Sequence, residues 1–129
     1  MERKILSVAS LLGMIAIILG AFGAHALKKV LSIEQLNTFE TGVKYQMYHA
    51  LFLLFVGTTS ALSDKAKKAI LSLVIVGVLF FSGSIYLLAT NDLTSFDFKV
   101  IGFVTPIGGL LLISSWIWLF VEVYKKGKH

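Results

Sequence analysis

Six side chains carry most of the chemistry this sequence places in or beside apolar surroundings: His25, Gln46, His49, Ser82, Tyr86 and Thr105. A histidine titrates near neutral pH, with an unperturbed pKa of about 6.5, and can hold a ligand or move a proton. Amide and hydroxyl groups orient polar partners. Tyr45 and His49 are four residues apart, and Gln46 and His49 three, so all three share one face of a helix. Ser82 and Tyr86 share a face in the same way. In hydrocarbon a polar side chain has no water for a partner, so each is either a bond between helices or part of a site.

Several reactions are excluded by what is missing. A hydrolase built on Ser82 or Ser84 with His49 would need a carboxylate to orient the imidazole; none lies in the apolar stretches, and no G-x-S-x-G motif occurs. Zinc requires three or four ligands, and only His25, His49 and a loop carboxylate such as Glu40 could meet, so no metal site is expected. Without cysteine there is no disulfide, thiolate metal site or iron–sulfur cluster. Gly20-Ala21-Phe22-Gly23 lacks the strand and lysine of a phosphate loop. A mid-membrane carboxylate for ion-coupled pumping is absent as well. The expectation is a protein with no catalytic residues and no cofactor, and not an enzyme.

The elements that must position these groups follow from composition. Of 129 residues, 57% are hydrophobic and 15% charged, and the charges leave four uncharged stretches: Ile5 to Ala24, Tyr45 to Ser63, Ala69 to Asn91 and Val100 to Val121. Each approaches the roughly 20 apolar residues a helix needs to cross about 30 Å of hydrocarbon. The expected fold is all-α, a single four-helix membrane bundle with spans at about 5–25, 44–63, 68–90 and 99–122. Arg3-Lys4 and Ala24-His25-Ala26 imitate a signal peptide, but the apolar run is of spanning length rather than the roughly 7–15 residues of a signal core. Its small residues, Ala9, Gly13, Ala16, Gly20 and Ala24, mark a close-packing face.

The net charge of +5 gathers at the ends of apolar stretches, which points to membrane topology and not to nucleic acid. Eight of the twelve basic residues (Arg3, Lys4, Lys65, Lys67, Lys68, Lys125, Lys126 and Lys128) fall on the side holding both termini and the second loop. That imbalance predicts both termini in the cytoplasm, with a basic inner rim that attracts anionic membrane lipids. Trp116, Trp118 and Tyr124 then read as an interfacial belt. Counting about 1.5 Å per residue from the outer ends places Gln46 and His49 roughly 1–6 Å deep, Tyr86 and Thr105 about 7–8 Å and Ser82 about 13 Å. His25 ends the first span, and the whole polar layer occupies the outer half.

Connections add detail. Ser32-Ile33-Glu34-Gln35 is a capping box, and Ile33, Leu36, Phe39 and Val43 recur at threes and fours. These predict a short amphipathic helix on the outer surface between the first and second spans, with Gly42 as a kink. Thr105-Pro106-Ile107-Gly108-Gly109 puts the only proline at the start of the fourth span. This predicts a helix break at Pro106, Gly108 and Gly109, read either as a packing kink or as the floor of an outward-facing pocket. Gly13, Ala16, Gly20 and Gly102 are the expected helix-packing positions.

Gly20-Ala21-Phe22-Gly23-Ala24-His25-Ala26-Leu27, Tyr45-Gln46-Met47-Tyr48-His49-Ala50-Leu51, Phe81-Ser82-Gly83-Ser84-Ile85-Tyr86 and Thr105-Pro106-Ile107-Gly108-Gly109 together resemble the YgdD/YwdK-like small membrane proteins, an uncharacterised family related to the transmembrane protein 256 group. The resemblance covers nearly the whole chain, one motif per span. It implies a multi-pass protein of the bacterial cytoplasmic membrane and implies no reaction. Two functional classes stay open. One is a pocket of His25, Gln46, His49, Ser82, Tyr86 and Thr105 that binds a lipid, quinone or small solute, with transport requiring a homo-oligomer because four short helices enclose no pathway. The other is a structural or assembly protein whose small-residue faces pack against copies of itself or against another membrane protein.

Overall fold

The apolar periodicity becomes helix throughout the computed structural model, which describes residues 1–127, and no strand occurs among them. Helix α1 spans Glu2–His25, α2 Ile33–Thr58, α3 Asp64–Val78, α4 Ser84–Ala89 and α5 Val104–Gly127. A π-helical turn, Leu79–Gly83, joins α3 to α4, so the two form one helical rod. Short 3-10 turns at Leu27–Lys29, Asn91–Leu93 and Phe98–Ile101 make the connections at the opposite end from Glu2. Three stretches are long and apolar enough to cross a membrane: Glu2–Lys29, Asp64–Ala89 and Phe98–Lys125. Helix α2 has the length, at 26 residues, but Lys44, Gln46 and His49 dilute its hydropathy.

Ser32 caps α2 as its sequence predicts: its hydroxyl accepts from the Gln35 backbone N–H at 3.1 Å, and the Gln35 side chain accepts from the Ser32 N–H at 2.9 Å. The segment it opens corrects an expectation. Instead of a separate amphipathic helix lying on the surface, residues 33–43 are the first turns of α2 itself. Leu36, Phe39, Val43, Gln46, Ala50 and Leu53 alternate at threes and fours and form one continuous inward stripe, so nothing in the pattern asks for a break. Gly42 does not kink the helix. A Cβ there would lie 2.7 Å from the Tyr86 ring, so the missing side chain is what admits Tyr86 to the surface of α2. At its other end α2 stops at Thr58, short of the expected boundary, where Thr59 turns to extended backbone.

Helix α1 runs antiparallel along α2. Gly13 faces Ala50, Gly20 faces Val43, and Ala16 between them is fully buried. The small-residue stripe is thus consumed inside the chain, which withdraws the idea that this face meets another copy. Gly102 lies in the turn before α5, not on a packing face, and a Cβ there would meet only the Lys99 carbonyl. At the end holding Glu2, its carboxylate pairs with Lys67 at 3.1 Å, and Lys67 is only 2% exposed. The main core joins Ile5 and Ala9 of α1, Phe52, Leu53 and Val56 of α2, Ile70, Leu71, Val74 and Val78 of α3, and Leu112 of α5. Lys128, counted in the charge balance, lies outside the described residues.

The expected break at Pro106 is also corrected. Helix α5 continues through Pro106, Gly108 and Gly109, because proline in the first turn of a helix gives up an N–H that has no intrahelical acceptor there. The irregularity sits across the interface, in the π-turn. Gly108 is buried, and a Cβ on it would fall on the backbone of Phe80 and Phe81, so two backbones touch there without intervening side chains. Gly109 differs: its Cβ would meet the Phe81 ring at an ordinary 3.6 Å. Gly108→Ala should therefore destabilise the protein by about 3 kcal/mol, the upper end of overpacking effects. Gly109→Ala should stay within about 1 kcal/mol of wild type, since alanine favours helix. Thermal unfolding in mild detergent checks the pair, and equal melting temperatures would remove the backbone contact as the reason for Gly108.

Candidate functional site

The polar layer divides into a closed part and an open part. In the closed part Gln46 bridges two neighbours: its amide N–H donates to the Leu12 carbonyl of α1 at 2.9 Å, and its Oε1 accepts from the Tyr86 hydroxyl of α4 at 2.7 Å. Ser82, fully buried in the π-turn, donates to the Gly42 carbonyl of α2 at 2.7 Å. Ser84 meets Thr105 of α5 hydroxyl to hydroxyl and also donates to the Phe81 carbonyl. Tyr86 stacks at a tilt on Phe39, with ring centroids 5.1 Å apart. The π-turn makes this possible, because its extra residue rotates the segment that follows. Ser82 then reaches α2 while Ser84 reaches α5.

Gln46, Ser82 and Tyr86 thus spend their polar atoms on one another and on backbone, and Thr105 spends its hydroxyl on Ser84. Among the described residues, no buried side-chain nitrogen or oxygen lacks a partner. Neither seryl hydroxyl is paired with a base. His25 stands apart, exposed at the end of α1. No group of three or more His, Asp or Glu comes together among the described residues.

His49 belongs to the open part. Its Nδ1 lies 2.7 Å from the Tyr45 carbonyl, one helical turn back, and its Nε2 lies 3.1 Å from the Trp116 indole nitrogen of α5. A carbonyl only accepts and an indole N–H only donates. The proton therefore sits on Nδ1, and Nε2 presents a lone pair. Beside this bond is a cleft of about 260 Å³ between α2 and α5, lined by Tyr45, His49, Phe81, Gly109, Leu112 and Ile113, with Trp116 at its edge. Trp116 also lines a second hollow of about 390 Å³, walled by Phe55, Leu119, Phe120, Val123 and Tyr124. From Tyr45 to Phe55 the groove follows α2 for about 15 Å at the helical rise.

Helix α5 leaves this groove because it packs against α3 and the π-turn rather than against α2. Trp116 crosses to α2, stacking on Phe52 with centroids 4.2 Å apart while remaining 48% exposed. Trp116 was expected in an interfacial belt. Its place beside the cleft was readable only from the spacing Gly109, Leu112, Ile113, Trp116, which puts four cleft residues on one face of α5. The carbonyl acceptors of Leu12, Gly42 and Tyr45 had no signal at all, since every residue carries one.

Long apolar helices, buried polar atoms that bond across helices, and flanking helices with uncovered apolar surface define an integral membrane protein. A family model described as a protein of unknown function (DUF423) matches residues 19–109. Relatives include a UPF0382 membrane protein of Staphylococcus haemolyticus, 41% identical over 82% of this chain and 83% of the relative. Another, from Haemophilus influenzae, is 36% identical over 97% of both chains. The UPF0382 membrane protein YwdK of Bacillus subtilis is 37% identical over 87% of this chain and 89% of its own. The chain belongs to this family of bacterial membrane proteins, as the motifs in its sequence led us to expect. No solved structure matches.

If Gln46 is the shared bond of the bundle, Gln46→Leu should cost about 1–2 kcal/mol, because Tyr86 loses its acceptor in a buried setting. Tyr86→Phe should cost less, and the double variant should fall short of the sum by roughly 0.6–1.7 kcal/mol, as for linked polar groups in membrane helices. Additive losses in a double-mutant cycle would mean that the two side chains are not coupled.

Proposed function

We infer that this protein is a non-catalytic, four-span component of the bacterial cytoplasmic membrane that holds a neutral lipophilic molecule, a lipid or a quinone, in the groove between α2 and α5. The observation that carries the reading is the cleft itself: a mostly apolar trough whose polar side chains are His49, Tyr45 and Trp116. Ligand sites are mostly apolar with a few placed polar groups, and this cleft has that make-up. The closed polar layer serves as the clasp that keeps the trough in shape. This reading moves the site from the six-residue pocket of the sequence expectation to His49 with its apolar surroundings.

Helix α2 counts as the fourth span because its polar atoms are satisfied by neighbours and its length, about 39 Å at the helical rise, suffices. The charge balance favours both termini in the cytoplasm. Because the sequence has no cysteine, single cysteines can report topology directly. A membrane-impermeant maleimide on intact cells should label Ser95→Cys and spare Ser60→Cys; the reverse pattern would invert the orientation.

A second reading, assembly with copies of itself or another membrane protein, draws on Leu11, Met14, Ile17, Ile18 and Phe22, which leave one face of α1 uncovered. Native mass spectrometry from mild detergent addresses both. Wild type should carry a discrete bound mass, and Gly109→Leu, which fills the trough from a position with room for a side chain, should lose it. Full retention by a folded Gly109→Leu would overturn the groove as the site. A bare oligomer in both would favour assembly.

A further inference from the structure

The groove also carries information about the head group it accepts, an inference that rests on the ligand-binding reading above. We propose that His49 selects lipophiles that donate a hydrogen bond, namely an uncharged hydroxyl on a long apolar body, over lipophiles that only accept. A lipid alcohol and a hydroquinone share this chemistry.

The argument begins within α2. The Tyr45 carbonyl, fixed by the helix, faces His49 Nδ1 at 2.7 Å, so the ring must keep its proton on that side. Moving the proton to Nε2 would leave two lone pairs facing each other at that separation. The tautomer is thus set by a local contact that a ligand in the cleft does not touch. Nε2 can only accept, and in this structure it accepts from Trp116.

Trp116 is the replaceable half of the bond. Its side chain is 48% exposed at the groove edge, whereas His49 is 4% exposed and held from both sides. Trp116 lines both hollows, so a rotation of its indole away from His49 uncovers Nε2. A molecule that then fills the trough must itself supply a donor to Nε2, or leave a buried acceptor unpaired. An oxidised quinone or an ester carbonyl brings only lone pairs. Phe81, Leu112 and Ile113 offer no polar contact, the Tyr45 hydroxyl is the other polar side-chain group of the lining besides His49 and Trp116, and no charged side chain lines the cleft, so an ionic head group finds no counter-charge there.

The test uses the full-length protein in phosphatidylcholine nanodiscs, with the bound fraction of each probe read by native mass spectrometry. The probes are geranylgeraniol with its methyl ether, and decyl-benzohydroquinone with its oxidised quinone. The alcohol should bind about tenfold more tightly than the ether, or the hydroquinone than the quinone, and the pair showing the larger ratio identifies the source. His49→Phe should reduce the ratio to about one. Trp116→Phe, which removes the competing donor but keeps an aromatic wall, should tighten the donor probe several-fold and leave its partner unchanged. That second variant keeps the proposal testable if His49→Phe does not fold. Equal binding within both pairs, or a preference that survives in His49→Phe, would overturn donor selection while leaving the groove as a lipophile site. Failure of all four probes to bind wild type would overturn both.

Discussion

Gln46 is the side chain on which the arrangement of helices turns, because a buried amide must find its hydrogen-bond partners in protein. One neighbour supplies a backbone carbonyl, Leu12 of α1, and another a hydroxyl, Tyr86 of α4. Both sides of α2 are thereby claimed at one depth. A helix carrying Gln46 and His49 midway along its length must lie inside, so α1 and α5, whose charges sit at their ends, become the flanks. The exposed residues agree: Leu11, Ile17 and Ile18 on α1 and Leu110, Ile113 and Ile117 on α5 look outward, where lipid can cover them.

Glycine decides how close each of these contacts comes. The absent side chain of Gly42 admits the Tyr86 ring, which is what brings its hydroxyl within reach of Gln46. Gly108 does the same for whole backbones, setting α5 directly on the π-turn at Phe80 and Phe81. Once α5 is drawn to that side, it cannot also lie along α2. The trough is the geometric remainder, and Trp116 reaches across it to His49 and Phe52. A structural irregularity in one helix and a missing methyl in another thus create a cleft in a third place.

The parts of this fold that were readable from sequence are those written in side-chain type. The uncharged stretches became mostly helix, the Ser32 and Gln35 pair became a capping box, and Gln46, Ser82, Tyr86 and Thr105 became bonds between elements. The parts that were not readable depend on backbone or on distant partners. A carbonyl such as that of Leu12 carries no residue-specific mark, and the π-turn at Leu79–Gly83 has no composition that separates it from ordinary helix. Pro106 was misread because its effect depends on position: in the first turn it costs nothing, and three turns later it would break the helix. Lys67 reads as a solvated loop charge until Glu2, far away in sequence, is seen beside it. The separate amphipathic helix failed for a different reason. Its stripe continued in phase into α2, and that phase was visible in Leu36, Phe39, Val43, Gln46 and Ala50.

The contrast between Gln46 and His49 separates scaffold from site. Gln46 is bonded to groups that cannot leave, a backbone carbonyl and a tyrosine wedged against Phe39 and Gly42. His49 is bonded on one side to a fixed carbonyl and on the other to an indole that is half uncovered. Breaking either bond in a buried place costs the same order of free energy, about 1–3 kcal/mol, unless another partner takes over. For Gln46 no newcomer has access. For His49 the trough provides access, and the moving group sits where lipid already reaches it. On the proposed reading, rigid attachment on one nitrogen with an exchangeable partner on the other is what lets a packing histidine serve a ligand in the groove.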